Sequence, residues 1–155
     1  MRLRSATDAD LPALTTLFRE TVRVNAPQHY SLAQAAAWAT VDPDRFRQLI
    51  LGVTTYIAEN ETGAVGFAGI GEDGYVASVY VRHDCLHQGI GSVLMQAVLA
   101  HAQERQIPKL YAEASEFSLG LFRKFSFSQY ATEVVDRNGV QFTRYLMEKI
   151  LAETP

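Results

Sequence analysis

Leu86-His87-Gln88-Gly89-Ile90-Gly91-Ser92 is the stretch whose reading decides the fold. It lies between a strand-like run, Tyr75 to Val81, and a helix-like run that begins at Val93. Glycines let a backbone turn tightly and come close to a ligand, and the first N–H groups of a helix have no partner inside it. With the positive end of the helix dipole behind them, those groups make an anion site, and the expected guest is a phosphate or pyrophosphate.

Spacing separates the loops that bind such groups. A nucleoside-triphosphate loop needs a lysine after its second glycine, and none occurs between His83 and Lys109. A dinucleotide fingerprint would read Gly89-x-Gly91-x-x-Gly/Ala, with Glu113 in the place of its ribose-binding acid; Leu94 stands where close helix–strand packing needs a small third residue. The remaining candidate is a coenzyme A loop of the form Gln/Arg-x-x-Gly-x-Gly/Ala, which falls on Leu86 to Gly91 with both glycines matched and the first position changed.

In this the chain resembles the GNAT superfamily of acyl-CoA-dependent N-acyltransferases. Val79-Tyr80-Val81 is similar to the family's fourth strand, and Leu121-Phe122-Arg123-Lys124-Phe125-Ser126-Phe127 to its Leu-Tyr-x-Lys-x-Gly-Phe segment, with Phe122 in place of tyrosine and Ser126 in place of glycine. His29-Tyr30-Ser31 followed by Ala36-Ala37-Trp38-Ala39 resembles a segment of one bacterial subgroup. The resemblance implies an α/β (α+β) fold: a mixed, mostly antiparallel central sheet flanked by helices, with one parallel strand pair splayed at the coenzyme A site. It also implies acetyl-CoA as acyl donor. Val79, Tyr80 and Val81 would hold its pantetheine arm, and Leu86, His87, Gln88, Gly89, Ile90, Gly91 and Ser92 its pyrophosphate through main-chain groups. Phe122 would lie at the cofactor.

Composition is consistent with this frame. At 155 residues with 48% hydrophobic content the chain has the size of one domain, residues 1–155, with a real core. A net charge of −3 argues against nucleic acid as a partner, since that needs a basic face. Met1-Arg2-Leu3-Arg4-Ser5 shows no signal-peptide pattern, and no run of about eighteen apolar residues occurs; with one cysteine, Cys85, these features give a cytoplasmic protein with no membrane partner as the expectation.

Apolar spacing predicts the elements. Leu11, Leu14, Leu17, Phe18 and Val22 recur at helical spacing after the capping-box pattern Thr7-x-x-Asp10, and the helix should end before Pro27. Ser31-x-x-Gln34 and Asp42-Pro43 begin two further short helices. Thr54 to Glu59, Ala64 to Ile70 and Tyr75 to Val81 read as an antiparallel meander. A helix from the loop to Ile107-Pro108 crosses back to a strand, Lys109 to Ala114, parallel to Tyr75–Val81. Phe117 to Phe125 reads as a helix, and Phe127–Val135 with Val140–Glu148 as a hairpin around Asn138-Gly139.

The resembling family's chemistry has a primary amine attack a thioester in a ternary complex. Deprotonating an amine of pKa about 10.4 at pH 7 costs about 4 to 5 kcal/mol, so a general base is useful; the thiolate, of conjugate pKa about 8.5, leaves more easily. His29 and Glu113 are the candidate catalytic groups, with Glu72, Asp73 and His83 as weaker ones. Glu113 has the alternative of pairing with Arg123 or Lys124, and Glu72 and Asp73 that of decorating a turn. Phe122 cannot donate a proton, and Tyr80, Tyr111, Tyr130 and Tyr145 are the available phenols. His29, Tyr30 and Trp38 form the candidate pocket for a small-molecule amine, by hydrogen bonding and cation–π contact, while packing between helices is the other reading of Trp38. His83-x-Cys85-x-His87 has only three local ligands and no familiar zinc spacing, so no metal is expected. An acyl-enzyme on Cys85 is a minor alternative. Other readings are a non-catalytic acyl-CoA binder and a homodimer formed through the last hairpin.

Overall fold

The computed structural model describes residues 1–137 and 139–151. Its strands and α-helices run in the order β1 (Arg2–Ser5), α1 (Leu11–Asn25), α2 (Leu32–Ala39), α3 (Pro43–Leu51), β2 (Thr54–Asn60), β3 (Gly63–Ile70), β4 (Val76–Val81), α4 (Ile90–Glu104), β5 (Lys109–Ala114), α5 (Leu119–Lys124), β6 (Ser128–Arg137) and β7 (Val140–Ile150). Capping residues set the helix starts. Ser31 Oγ accepts from Gln34 N at 3.1 Å while Gln34 Oε1 accepts from Ser31 N at 2.8 Å, a complete capping box on α2. Asp42 accepts from the N–H groups of Asp44 and Arg45, with Pro43 at the first helical position of α3. The Thr7–Asp10 pair caps a 3-10 turn that leads into α1, one step earlier than its spacing suggested.

The strands make two sheets, β1-β2-β3-β4 and β5-β7-β6, all antiparallel within themselves. They meet at one parallel bridge, Tyr75 to Tyr111, where Tyr111 donates its N–H to Gly74 O at 3.0 Å. The parallel pair read from the sequence is therefore reduced to its first rung, and β5 takes β7 as its ladder partner. Register explains the parting. Gly69 faces Ser78 and Ile70 faces Val76, so Ala77 is an extra residue in β4. A bulge bends and twists its strand, and here it carries β4 away from β5.

Two cores lie on opposite faces of the sheets. Leu94, Met95 and Val98 of α4 pack on Val65, Leu110 and Met147, spanning both sheets. Leu14, Leu17 and Phe18 of α1 pack with Ile50, Ile57 and Phe67 on the other face. Because α4 rests on both sheets, it holds the cleft between β4 and β5 open at a fixed width.

Helix α5 ends in a Schellman motif. Phe127 donates to Phe122 O at 3.0 Å and Ser126 to Arg123 O at 3.0 Å, while Ser126 takes φ +66°. The Phe122 and Phe127 rings meet edge to face at 5.0 Å, supplying the apolar contact that accompanies such a cap. Gly139 has φ +79° and donates to Asp136 Oδ1 at 3.0 Å between Arg137 and Val140; Asn138, the other half of the turn signal, lies outside the described residues.

Candidate active site

One wall of the cleft is the free edge of β4. Arg82 donates to Val65 O at 2.8 Å, and Gly66 faces Val81 in register. In an antiparallel ladder alternate residues turn their N–H and C=O toward the same neighbour. The main chain of Tyr80 therefore bonds β3, and those of Val79 and Val81 face the gap left by β5. Thr21 Oγ1 donates to Val81 O at 3.4 Å, which leaves the Val81 N–H and both main-chain groups of Val79 for a ligand. This corrects the placing of Tyr80 among main-chain cofactor contacts: its backbone is used within the sheet. Its ring packs on Phe18 at 5.0 Å and Phe67 at 5.3 Å, and burial raises its phenol above the ordinary value.

The loop after β4 is shaped by two left-handed residues, His87 at φ +62° and Gly89 at φ +80°. The first bond of α4 runs from Val93 N to Gly89 O at 3.1 Å. Among the described residues no acceptor takes the main-chain N–H groups of His87 to Ser92. Leu86, half-buried and in extended conformation, leads into these groups. A Cβ on Gly91 would lie 3.3 Å from Leu121 Cδ2, so Gly91 keeps α4 and α5 close. Lys124 Nζ donates to Ser92 Oγ at 2.6 Å, placing a cation beside the helix start. Open N–H groups, the dipole and a lysine fit a pyrophosphate.

A cavity of about 250 Å³ continues from this edge between the sheets. Phe122 is buried in its wall, 3% exposed. Glu113, on β5, lines it, as does Val79 of β4. Arg144 Nη1 lies 4.0 Å from Glu113 Oε1, and Tyr75 lines the same cavity; burial and the Glu113 carboxylate together push the Tyr75 phenol well above its ordinary range. The pairing of Glu113 with Arg123 or Lys124 considered above is replaced by one with Arg144. Asp73 lies in the β3–β4 turn, accepting from Tyr111 Oη at 2.6 Å, which pushes the Tyr111 phenol up to about 12. Ser78, 5% exposed beside the bulge, has a buried hydroxyl with no partner among the described residues.

The far wall is aromatic. Tyr30 meets Trp38 edge to face at 5.4 Å, and Phe142 lies 5.9 Å and 6.2 Å from these two rings. The Tyr30 hydroxyl accepts from Glu116 N at 2.7 Å, tying this wall to the loop after β5. His29 is exposed at the end of the turn before α2 and does not line the cavity, so the structure brings Tyr30 and Trp38 together without it. Among the phenols, Tyr111 and Tyr145 are committed to Asp73 and Glu116, and Tyr130 is exposed. Sequence reasoning missed Tyr75, Ser78, Arg137, Phe142 and Arg144. Only Phe142 and Arg144 left a signal, since two residues apart in a strand share a face.

Cys85 is buried and donates to Asp84 Oδ1 at 3.5 Å. Among the described residues no group of three His, Cys, Asp or Glu side chains is placed to hold a metal ion. No described helix is long and apolar enough to cross a membrane.

A two-sheet fold split beside a main-chain anion loop defines an acyl-donor site, and comparison with known proteins agrees. Residues 26–149 match the family model of the acetyltransferase (GNAT) domain. The chain is 25% identical over 147 residues to the uncharacterized N-acetyltransferase YafP of Escherichia coli, covering 95% of this chain and 94% of that one. The crystal structure of a GCN5-related N-acetyltransferase from Rhodopseudomonas palustris superposes with TM-score 0.91 at 27% identity, over 97% of this chain and 95% of the other. The fold is also that of yncA from Salmonella typhimurium, solved with its cofactor acetyl-CoA, at TM-score 0.73 and 24% identity over 100% and 96% of the two chains. The chain belongs to the GNAT family, the acetyl-CoA-dependent N-acetyltransferases.

Proposed function

We propose that this acetyltransferase transfers acetyl to the primary amine of a small molecule by direct attack, with donor and acceptor bound together. The observation that carries this reading is the meeting of two openings at one point. The donor enters along the loop and the β4 edge, the acceptor from the aromatic side, and Val79 and Glu113 both line the cavity between them. Glu113 serves as the base that receives the ammonium proton, directly or through one water. Arg144, with Nη1 4.0 Å from Glu113 Oε1, holds the carboxylate in place. The Val79 and Val81 N–H groups supply donors for the thioester oxygen at the moment it gains charge.

Departure of the thiolate proceeds without an acid from this chain: Phe122 has no proton to give, Tyr111 and Tyr145 are held by Asp73 and Glu116, and Tyr130 is exposed outside the cavity lining. A thiol pKa of about 8.5 makes that tolerable near neutral pH. Burial of Cys85 speaks against an acyl-enzyme.

Two-substrate initial-velocity kinetics test the proposal. Intersecting lines and no acetylated protein by intact-mass spectrometry are expected. Parallel lines with a covalent acetyl on Cys85 would overturn direct attack. Tight acetyl-CoA binding with no turnover of any amine would favour a non-catalytic acyl-CoA binder.

A further inference from the structure

The acceptor side of the cleft has a charge pattern that selects among amines. Beyond the aromatic wall the cavity opens into a mouth of about 580 Å³ that shares Trp38, Arg137 and Arg144 with it. The carboxylates there are already engaged. Asp42 caps α3, Asp136 accepts from Gly139 N at 3.0 Å, and Glu133 is held by Arg144, which also faces Glu113 at 4.0 Å. Arg137 differs. Among the described residues it makes no ion pair, and its guanidinium lies 6.0 Å above the Phe142 ring. A guanidinium steadied on an aromatic face, with its N–H fork open to a cleft, is suited to receive a carboxylate.

We infer that the acceptor is a primary amine that carries a carboxylate at the far end of an apolar body, as an ω-amino acid does. Its ammonium meets Glu113, its body lies against Tyr30, Trp38 and Phe142, and its carboxylate is received by Arg137. A simple monoamine would present a lone positive charge to Arg137, whereas a zwitterion meets an opposite charge at each end. The inference rests on the acetyltransferase reading above and adds the substrate class to it.

The test uses matched acceptors on the full chain: 4-(aminomethyl)benzoate, its methyl ester and benzylamine, which share a body and differ in the carboxylate. Two readouts are taken. One is kcat/KM from release of free CoA; the other is fluorescence of Trp38, the chain's only tryptophan, which lies in the wall and reports occupancy without turnover or donor. The acid is expected to be preferred over both analogues by at least about ten-fold, and Arg137→Ala to abolish that preference while leaving the ester and the monoamine within about two-fold of their starting values. Equal or better use of the ester or monoamine overturns the inference, as does an Arg137→Ala loss shared by all three. If none is acetylated, a saturable Trp38 response to 4-(aminomethyl)benzoate that Arg137→Ala removes upholds it, and no such response overturns it. Failure to bind acetyl-CoA in calorimetry is a separate outcome, and it strikes the acetyltransferase reading itself.

Discussion

The two halves of the cleft are built from different material. In the function proposed above, the working groups of the donor side are main-chain N–H groups of residues 87–92 and of the β4 edge, so their position depends on dihedral angles and register. On the acceptor side they are side chains from α2, β5, β6 and β7: Trp38, Glu113, Arg137, Phe142 and Arg144. A main-chain site tolerates exchange of its side chains as long as the backbone keeps its path. A side-chain site changes its ligand with a single substitution. The departures from the family pattern at Leu86, Phe122 and Ser126 all fall on the tolerant half.

Gly91→Val should give the largest effect, because it alters the path itself. A branched side chain there meets Leu121 and shields the loop N–H groups, so acetyl-CoA affinity should fall by about a hundred-fold, near 3 kcal/mol, in a protein with unchanged circular dichroism. Calorimetric titration checks it, and unchanged affinity would break the comparison. Glu113→Gln comes next. It should lower kcat by roughly a hundred-fold and flatten the acidic limb of the pH–rate profile, with acetyl-CoA affinity kept.

Stability reports more modest differences. Ser126→Gly should raise stability by about 1 kcal/mol in denaturant unfolding, since glycine holds a left-handed angle without the Cβ clash that Ser126 bears at φ +66°. The helix behind the donor side also responds to pH. His101 of α4 is buried against Tyr56, its Nδ1 2.7 Å from the Tyr56 hydroxyl, and burial lowers its pKa from the ordinary value. With the folded pKa depressed, the unfolded chain takes up a proton first. Stability is then full above about pH 6.5 and falls as acid is added. Unfolding midpoints at pH 7.5 and 5.5 measure this, and His101→Gln should narrow the difference between them. Leu86→Ala should have the smallest effect of all, leaving acetyl-CoA affinity within about two-fold, because that position supplies no contacting side chain. A large loss would blur the distinction between the halves.

How much of this was legible in the sequence follows the same division. Gly89, at φ +80°, marked the turn that opens α4, because a glycine marks a backbone requirement at its own position. The alternation of elements was equally open to reading, down to the Ser31–Gln34 cap. The parting of the sheets was not, since the bulge at Ala77 is one extra residue of register in an ordinary apolar strand and leaves no mark of its own. Nor was the acceptor wall. Trp38 and Phe142 meet across more than a hundred residues, and Arg137 sits in a hairpin whose turn looked like mere punctuation. His29 failed for a local reason: the 3-10 turn Ala26–Gln28 sends adjacent side chains in different directions, so Tyr30 enters the cleft and His29 faces solvent.

The strand order β5-β7-β6 bears on how the protein is made. The middle strand of that sheet is the last of the seven to leave the ribosome. A nascent chain that has emerged as far as α4 already holds β1 to β4 and the loop, and so the donor half. The acceptor wall waits for residues 140–150, because β5 and β6 have only β7 to join them. Synthesis thus separates in time what catalysis needs together, and the chain has its complete cleft only once β7 has been threaded between its two neighbours.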